Sequence, residues 1–330
     1  MRRPLTGLGN RVLNPTVLIT SVGTASAINV LKALRRQTEL LVSIVAVDAD
    51  PSAAGLYLTD RRHVVPDAHA ADYIPRLTSL LRSEHVDVLI PIHSGEIEII
   101  ARHRSTLERA GARMLLSEPS VIALCNDKAR LARVAGEAGI RTPRVFSLPE
   151  LENLPESRFP LFSKPQMGSS SRGAAQVKNR IDLEYFRMRN PDYLFQEFVD
   201  GPEITIDVLV DSLHRPLVIS PRARLATKDG QSVKGVTLEN GPYRSIVTTL
   251  AGRLQLVGPC NIQFIRRGSE LVLIEVNPRY AAGGLMLTVH AGANIPLLAV
   301  KATLGLPISE NECRATEGKH MSRYWEEVFW

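Results

Sequence analysis

Glu275, Asn277 and Arg279 stand on alternate positions at the end of an apolar run, in LIEVNPRYAAGG, residues 273–284. Strand side chains alternate faces, so a carboxylate, an amide and a guanidinium are expected to point the same way. Upstream, GPCNIQFIRRGSELVLIEVNPR reads as a hairpin about Arg267 and Gly268. An even register would put Asn261 and Gln263 on the face of Glu275 and Asn277. Such hard oxygen donors suit Mg2+ or Mn2+, which needs only one or two protein carboxylates when water and phosphate oxygens complete its shell. A polar, solvent-facing sheet would satisfy the same pattern.

Further chemistry lies ahead of that hairpin. Lys164 ends the apolar stretch LFSKPQ and precedes MGSSSRGAAQV, a run of small residues whose backbone N–H groups can approach phosphate oxygens. A lysine beside such a loop adds a point charge to the same phosphates. The Walker order GxxxxGK[ST] is absent, so a P-loop is not indicated, and a plain Ser/Gly turn is the alternative. In FQEFVDGPEITIDV, a strand, turn and strand could set Glu197 and the backbone at Phe198 and Val199 against an adenine edge, with Glu203 for ribose hydroxyls, although taken alone it is only a hairpin. Arg222, Arg224, Lys228 and Lys234 form a basic cluster, read either as holding phosphate or a substrate carboxylate or as a solvated strand edge. Glu96, in PIHSGE with Ser94, is read either as meeting a substrate amine or as an N-terminal helix residue. The eight histidines show neither metal-ligand spacing nor a triad partner.

These residues need a scaffold, and the hydropathy pattern supplies two kinds. TVLIT, VSIVAVDAD, VDVLIPI and RMLLS read as strands alternating with helices over residues 15–117, which implies a parallel, Rossmann-like α/β domain. The turn SVGTAS lacks GxGxxG, so a dinucleotide site is not indicated. From residue 160 onward short strands separated by turn residues imply an α+β unit, largely antiparallel. The expected division is a loose arm at 1–14, the Rossmann-like domain at 15–117, a small subdomain with linker helices at 118–195 and a C-terminal subdomain at 196–330. The 330 residues, 44% hydrophobic and 22% charged, suffice for several packed units. A net charge of +6 with no basic–aromatic run gives no case for nucleic acid. Three scattered cysteines indicate neither disulfides nor zinc, and no apolar run of membrane-spanning length occurs, so a cytoplasmic location is expected.

Taken in order, Lys128 in CNDK, Lys164 in SKP, the loop from Met167 to Ala174, QEFVDGPEITIDV, NIQF and IEVNPRY resemble the ATP-grasp superfamily. Nearly the whole chain is similar to its carbamoyl-phosphate-synthase-like single-chain members, including SPRARLATKDGQSVKGVTLEN and YWEEVF. The resemblance implies a Rossmann-like pre-ATP-grasp domain followed by an ATP-grasp fold of two subdomains. It implies ATP on Lys128 and Lys164 under a loop containing Gly168, Ser169, Ser170, Ser171 and Gly173. Glu197, Phe198 and Val199 would flank adenine, Glu203 would meet ribose, and Gln263, Glu275 and Asn277 would hold Mg2+. Lys164 and Arg279 would be catalytic, with Arg222, Arg224, Lys234 and Glu96 as substrate contacts. The implied reaction is ATP-dependent coupling of a small-molecule carboxylate to an amine through an acyl phosphate, releasing ADP and phosphate. Carbamoyl-phosphate-type chemistry and an ATP-binding scaffold are the alternatives, and a homodimer is an open one.

Overall fold

A computed structural model describes residues 14–167 and 173–330. The first sheet holds β1 (Thr16–Ile19), β2 (Ser43–Asp48), β3 (Arg61–Val64) and β4 (Val88–Ile90), all parallel, in the order β3-β2-β1-β4. Its central strands are apolar on both faces because helices cover both, the condition under which short parallel strands persist. On one face lie the helices Tyr73–Ser83 and Ser94–Arg102; the other buries Ala25–Arg36 together with Ile295–Leu304 from the far end of the chain. That return ties the two halves into a shared core.

Two expectations for this domain change. RMLLS is not a strand: only Arg113 bridges Val88, while Met114 and Leu116 turn into the core. At the opposite edge of the sheet β3 forms from the polar RRHV, where one face needs no apolar side chains.

The second half contains two antiparallel sheets. The small one joins β5 (Leu161–Pro165), β6 (Ala175–Val177) and β7 (Tyr193–Glu197) in the order β6-β5-β7. The large one joins β8 (Glu203–Val210), β9 (Pro216–Lys228), β10 (Gln231–Thr237), β11 (Gly258–Arg267), β12 (Glu270–Asn277) and β13 (His320–Ser322) in the order β12-β11-β8-β9-β10-β13. Its apolar face packs Ile204, Ile206, Val208, Ile262, Phe264 and Val276 against the helices Pro119–Asn126, Lys128–Glu137 and Gly241–Leu254. The opposite face is polar, and the small sheet stands beside it. Among the described residues no helix is long and apolar enough to cross a membrane.

Candidate active site

The polar face of the large sheet is built from two cross-strand rows. One runs Ser220, Asp207, Asn261, Asn277; the next runs Arg222, Thr205, Gln263, Glu275. A β-bulge makes the second row possible. Near the Gly268–Ser269 turn the pairs are Phe264 with Leu273 and Ile265 with Val272, which would leave Gln263 opposite Ile274. The bulge at Ile274 adds one residue to β12, so Gln263 pairs with Glu275 and Asn261 with Asn277. The expected even register is therefore met, through a residue inserted in the strand and not through the turn.

Lysines reach this face from the small-sheet side. Asp127 caps the helix Lys128–Glu137, accepting from the N–H groups of Ala129 and Arg130, both at 3.1 Å. Gln166 donates its side chain to Asp127 (3.2 Å), and its carbonyl accepts from the Lys128 N–H (3.2 Å). This corner fixes Lys128 beside Lys164, whose strand turns Phe162 and Lys164 to one side and Leu161 to the small core.

Lys128, Lys164 and Glu275 line one cavity of about 320 Å³ between the two sheets. Burial pushes the Lys164 amine down to about 8, with Glu275 opposing that shift and Lys128 reinforcing it. Burial also lowers Lys128, against the charges of Glu275 and Asp127. Two lysines set beside Glu275, with burial disfavouring their charged forms, favour added negative charge at this end of the cavity. The far end of the cavity is walled by Phe162, Val199, Ile204, Ile265 and Ile274, with the chain from Gln196 to Gly201 along its edge. Glu197 turns its carboxylate away, to Arg141 and Arg267 (each 2.7 Å), so its backbone is what faces the cavity. Glu203 lines the cavity and is paired with Arg224 at 2.6 Å.

A second chamber of about 90 Å³ adjoins the first across Thr205, Arg224, Gln263 and Glu275. Arg279 and Asn277 belong to this side. Arg279, just past the strand, donates to Ser94 of the first domain (2.8 Å), to the Tyr280 carbonyl (3.2 Å) and to the Asn277 amide oxygen (3.3 Å). Burial lowers its guanidinium, and Glu275 opposes the shift. The small residues Ala281, Ala282 and Gly283 form the chamber's outer wall. Ala282 is held through its carbonyl by Asn29 (2.9 Å) and Arg323 (3.4 Å).

The structure therefore gathers Lys128, Lys164, Glu197, Phe198, Val199, Glu203, Gln263 and Glu275 around the larger cavity and Asn277 and Arg279 around the smaller. Gly173 backs onto the Tyr193 hydroxyl at a positive φ of 76°; Gly168, Ser169, Ser170 and Ser171 lie outside the described residues. Three substrate expectations change, that for Glu96 toward its other reading, an N-terminal helix residue. Glu96 is 4% exposed and takes hydrogen bonds from Thr20, Tyr73 (3.0 Å) and the N–H groups of Ile92 (3.0 Å) and His93 (2.9 Å), so both its oxygens serve the fold. Its neighbour Ser94 is the residue that reaches the site. Arg222 is 3% exposed and committed to Asp207 (3.1 Å) and Ser232 (3.2 Å), making it the floor of the second chamber. Lys234 is exposed on β10, outside both cavities. Arg224 lines both cavities.

Phe162, Thr205, Ile265 and Ile274 were absent from the residue-level expectations. The first three follow from alternation with Lys164, Glu203 and Gln263; Ile274 faces the cavity only because of the bulge.

Residues 189–327 match the family profile described as "ATP-grasp in the biosynthetic pathway with Ter operon", and residues 17–115 match "PylC-like, N-terminal domain". The chain carries an ATP-grasp family domain behind a PylC-like N-terminal domain. Among curated relatives, it is 26% identical over 308 residues to the formate-dependent phosphoribosylglycinamide formyltransferase of Thioalkalivibrio sulfidiphilus, covering 84% of this chain and 73% of the relative. The L-amino acid ligase of Bacillus licheniformis superposes with a TM-score of 0.67 at 17% identity, over 92% of this chain and 78% of that one. The biotin carboxylase domain of the Hydrogenobacter thermophilus 2-oxoglutarate carboxylase, a dimer in complex with MgADP, ADP and bicarbonate, superposes with 0.69 at 19% identity, over 91% and 72%. These two likenesses establish the fold: a parallel-sheet N-terminal domain followed by the antiparallel sheets of an ATP-grasp unit.

ATP with Mg2+ is what ATP-grasp enzymes use. The donor set of this chain fits that ion. Among the described residues no group of three or more His, Cys, Asp or Glu side chains forms a metal cluster. One carboxylate, Glu275, with the amide oxygens of Gln263 and Asn277 beside two lysines, matches an ion that draws its remaining ligands from phosphates and water.

Proposed function

We propose that this protein is an ATP-dependent carboxylate–amine ligase: it activates a small-molecule carboxylate as an acyl phosphate, releases ADP, and passes the acyl group to an amine. The observation that carries this reading is the pair of chambers meeting at Glu275, one large and apolar-walled with Lys128 and Lys164, the other small and polar with Arg279. The first suits a nucleotide whose phosphates end at Glu275. The second suits a compact acid and amine.

In this mechanism Lys128 and Lys164 bind and orient the phosphates, and Gln263, Glu275 and Asn277 hold Mg2+. The ion supplies charge neutralisation on the phosphoryl oxygens. Arg279, half-buried and anchored by Ser94, offers a fixed guanidinium to the oxygens that gain charge when the carboxylate attacks the γ-phosphate. Bond formation between the carboxylate oxygen and phosphorus accompanies loss of ADP; the amine then displaces phosphate. The protein's contribution is positioning, electrostatics and exclusion of water from a hydrolysable intermediate.

The test is product analysis. Full-length protein incubated with ATP, Mg2+ and pooled amino acids and small acids is expected to release ADP and phosphate in step with amide formation, followed by mass spectrometry. Formation of AMP and pyrophosphate would falsify the acyl-phosphate route, and tight ATP binding without turnover on any pair would point to a scaffold.

A further inference from the structure

Asp207 lies on the polar face but makes no contact with either chamber's opening; it is 2% exposed and lines neither cavity. Its carboxylate is nevertheless the most heavily bonded group in that face. One oxygen accepts from Arg222 Nε (3.1 Å) and Thr288 Oγ1 (2.7 Å); the other accepts from Asn261 Nδ2 (3.1 Å) and Arg222 Nη2 (3.4 Å). Asn261 in turn accepts on its Oδ1 from Gln263 Nε2 at 3.3 Å.

A side-chain amide has one accepting end and one donating end, and free rotation by half a turn exchanges them. That ambiguity matters at Gln263, because only its oxygen can face a cation. A carboxylate opposite a guanidinium can only accept. Asn261, adjacent to it in the cross-strand row, must present its NH2 to Asp207 and hence its oxygen to Gln263. Gln263 must then present its own NH2 to Asn261, which leaves its Oε1 for the cleft beside its direct cross-strand partner Glu275. Each amide's polarity follows from the one before it. The chain of two amides ends on a buried acid that no rotation can reverse.

We infer that Asp207 and Asn261 are positioning residues for the metal site, a relay that fixes the Gln263 amide with its oxygen toward the ion. This rests on the reading that Gln263 and Glu275 hold Mg2+. It gives a site with a single carboxylate a second oxygen of fixed polarity, and it gives the buried Asp207–Arg222 pair a use beyond packing. A Glu at 263 would make the relay unnecessary, since a carboxylate offers oxygen in either orientation.

That last point supplies the test. Asn261→Ala cuts the relay and leaves Asp207 with Arg222 and Thr288. Mn2+ is titrated by electron paramagnetic resonance against the full chain bound to a non-hydrolysable ATP analogue, and analogue affinity is measured separately in EDTA. Asn261→Ala is expected to weaken Mn2+ binding about 10-fold, the ordinary effect of losing an outer partner of a metal ligand, with affinity in EDTA unchanged. In the Gln263→Glu background the same change is expected to cost nothing. Unchanged Mn2+ affinity in Asn261→Ala, an equal loss in both backgrounds, or a parallel loss in EDTA would each overturn the relay. Glu275→Gln separates the two levels: if it weakens Mn2+ and Asn261→Ala does not, the relay alone fails, and if neither does, the metal assignment fails with it.

Discussion

The two chambers that meet at Glu275 are unlike in how their charges are held. In the larger, buried Lys164 and half-buried Lys128 lie near Glu275, and burial lowers both amines. In the smaller, Arg222 is locked to Asp207 and Arg279 to Ser94 and Asn277. One chamber sets two lysines, their ammonium forms disfavoured by burial, beside Glu275, so an incoming anion that restores those forms is favoured. The other has its charges neutralised or anchored beforehand, so it selects by shape and by the few positions left open. On the proposed function, the first would serve the generic part of the reaction and the second its specific part.

Glu275 belongs to both chambers, so its loss should be the largest effect. Glu275→Gln keeps the volume and removes the charge; ADP formation is expected to fall on the order of a thousandfold, as for other groups that organise transition-state charge, with a far smaller change in nucleotide affinity. Steady-state ADP release alongside a nucleotide-binding titration checks this. Retained turnover would mean that the shared wall is not where the chemistry occurs.

Arg222 and Arg224 sharpen the contrast, being two residues apart on β9. Arg222→Met leaves Asp207 as an uncompensated buried charge and is expected to cost about 3–5 kcal/mol of stability. Arg224 pairs with Glu203, half of which is in solvent, so Arg224→Met is expected to cost no more than about 1 kcal/mol. Its effect should appear instead in ligand binding, because Arg224 lines both cavities. Denaturant unfolding of the two variants gives the comparison, and equal losses would break it.

Lys164 gives the larger chamber a signature in pH. Its value is lowered from 10.5 to about 8, so the folded chain holds fewer protons than the unfolded one between those values. Stability contributed by this site therefore rises with pH across that window. Phosphate binding has the opposite sign, because it needs the protonated amine. Nucleotide affinity is expected to weaken as pH climbs above about 8, with proton uptake on binding near that pH, measured by calorimetry in buffers of different ionisation enthalpy. In Lys164→Met the proton uptake should be lost.

The larger chamber was the more legible of the two. Lys128 opens a helix, Lys164 lies near the end of its strand, and Gln263 and Glu275 stand on alternate strand positions, so their gathering in one cleft could be read ahead, although the Gln263–Glu275 pairing also needs the bulge at Ile274. The parallel and antiparallel sheets were legible for the same reason, from the spacing of apolar residues. Arg222 was not: its type suggests a ligand, and only the register of β8 against β9 reveals that it lies over Asp207. Glu96 was legible as an N-terminal helix residue, and the structure places it at the third position of a helix capped by His93; what the sequence did not show is that its carboxylate is wholly engaged by Thr20, Tyr73, Ile92 and His93. The bulge at Ile274 carries no mark in the sequence, since neither glycine nor proline stands there.

Gly284 offers the mildest test of the smaller chamber. Its φ of −142° is open to any residue, so its importance is space and not conformation. A Cβ there would sit 2.0 Å from Arg222 Cζ and 2.2 Å from Nε, and the guanidinium cannot yield while Asp207 and Ser232 hold it. Gly284→Ala is expected to cost about 1–3 kcal/mol, the range for overpacking a filled interior. In the Arg222→Met background, where the flat fork is replaced by a flexible chain, the same change should cost clearly less. A double-mutant cycle by denaturant unfolding measures that difference. A coupling near zero would mean that the floor of the smaller chamber is not the rigid surface on which its selectivity depends, and the distinction between the chambers would rest on charge alone.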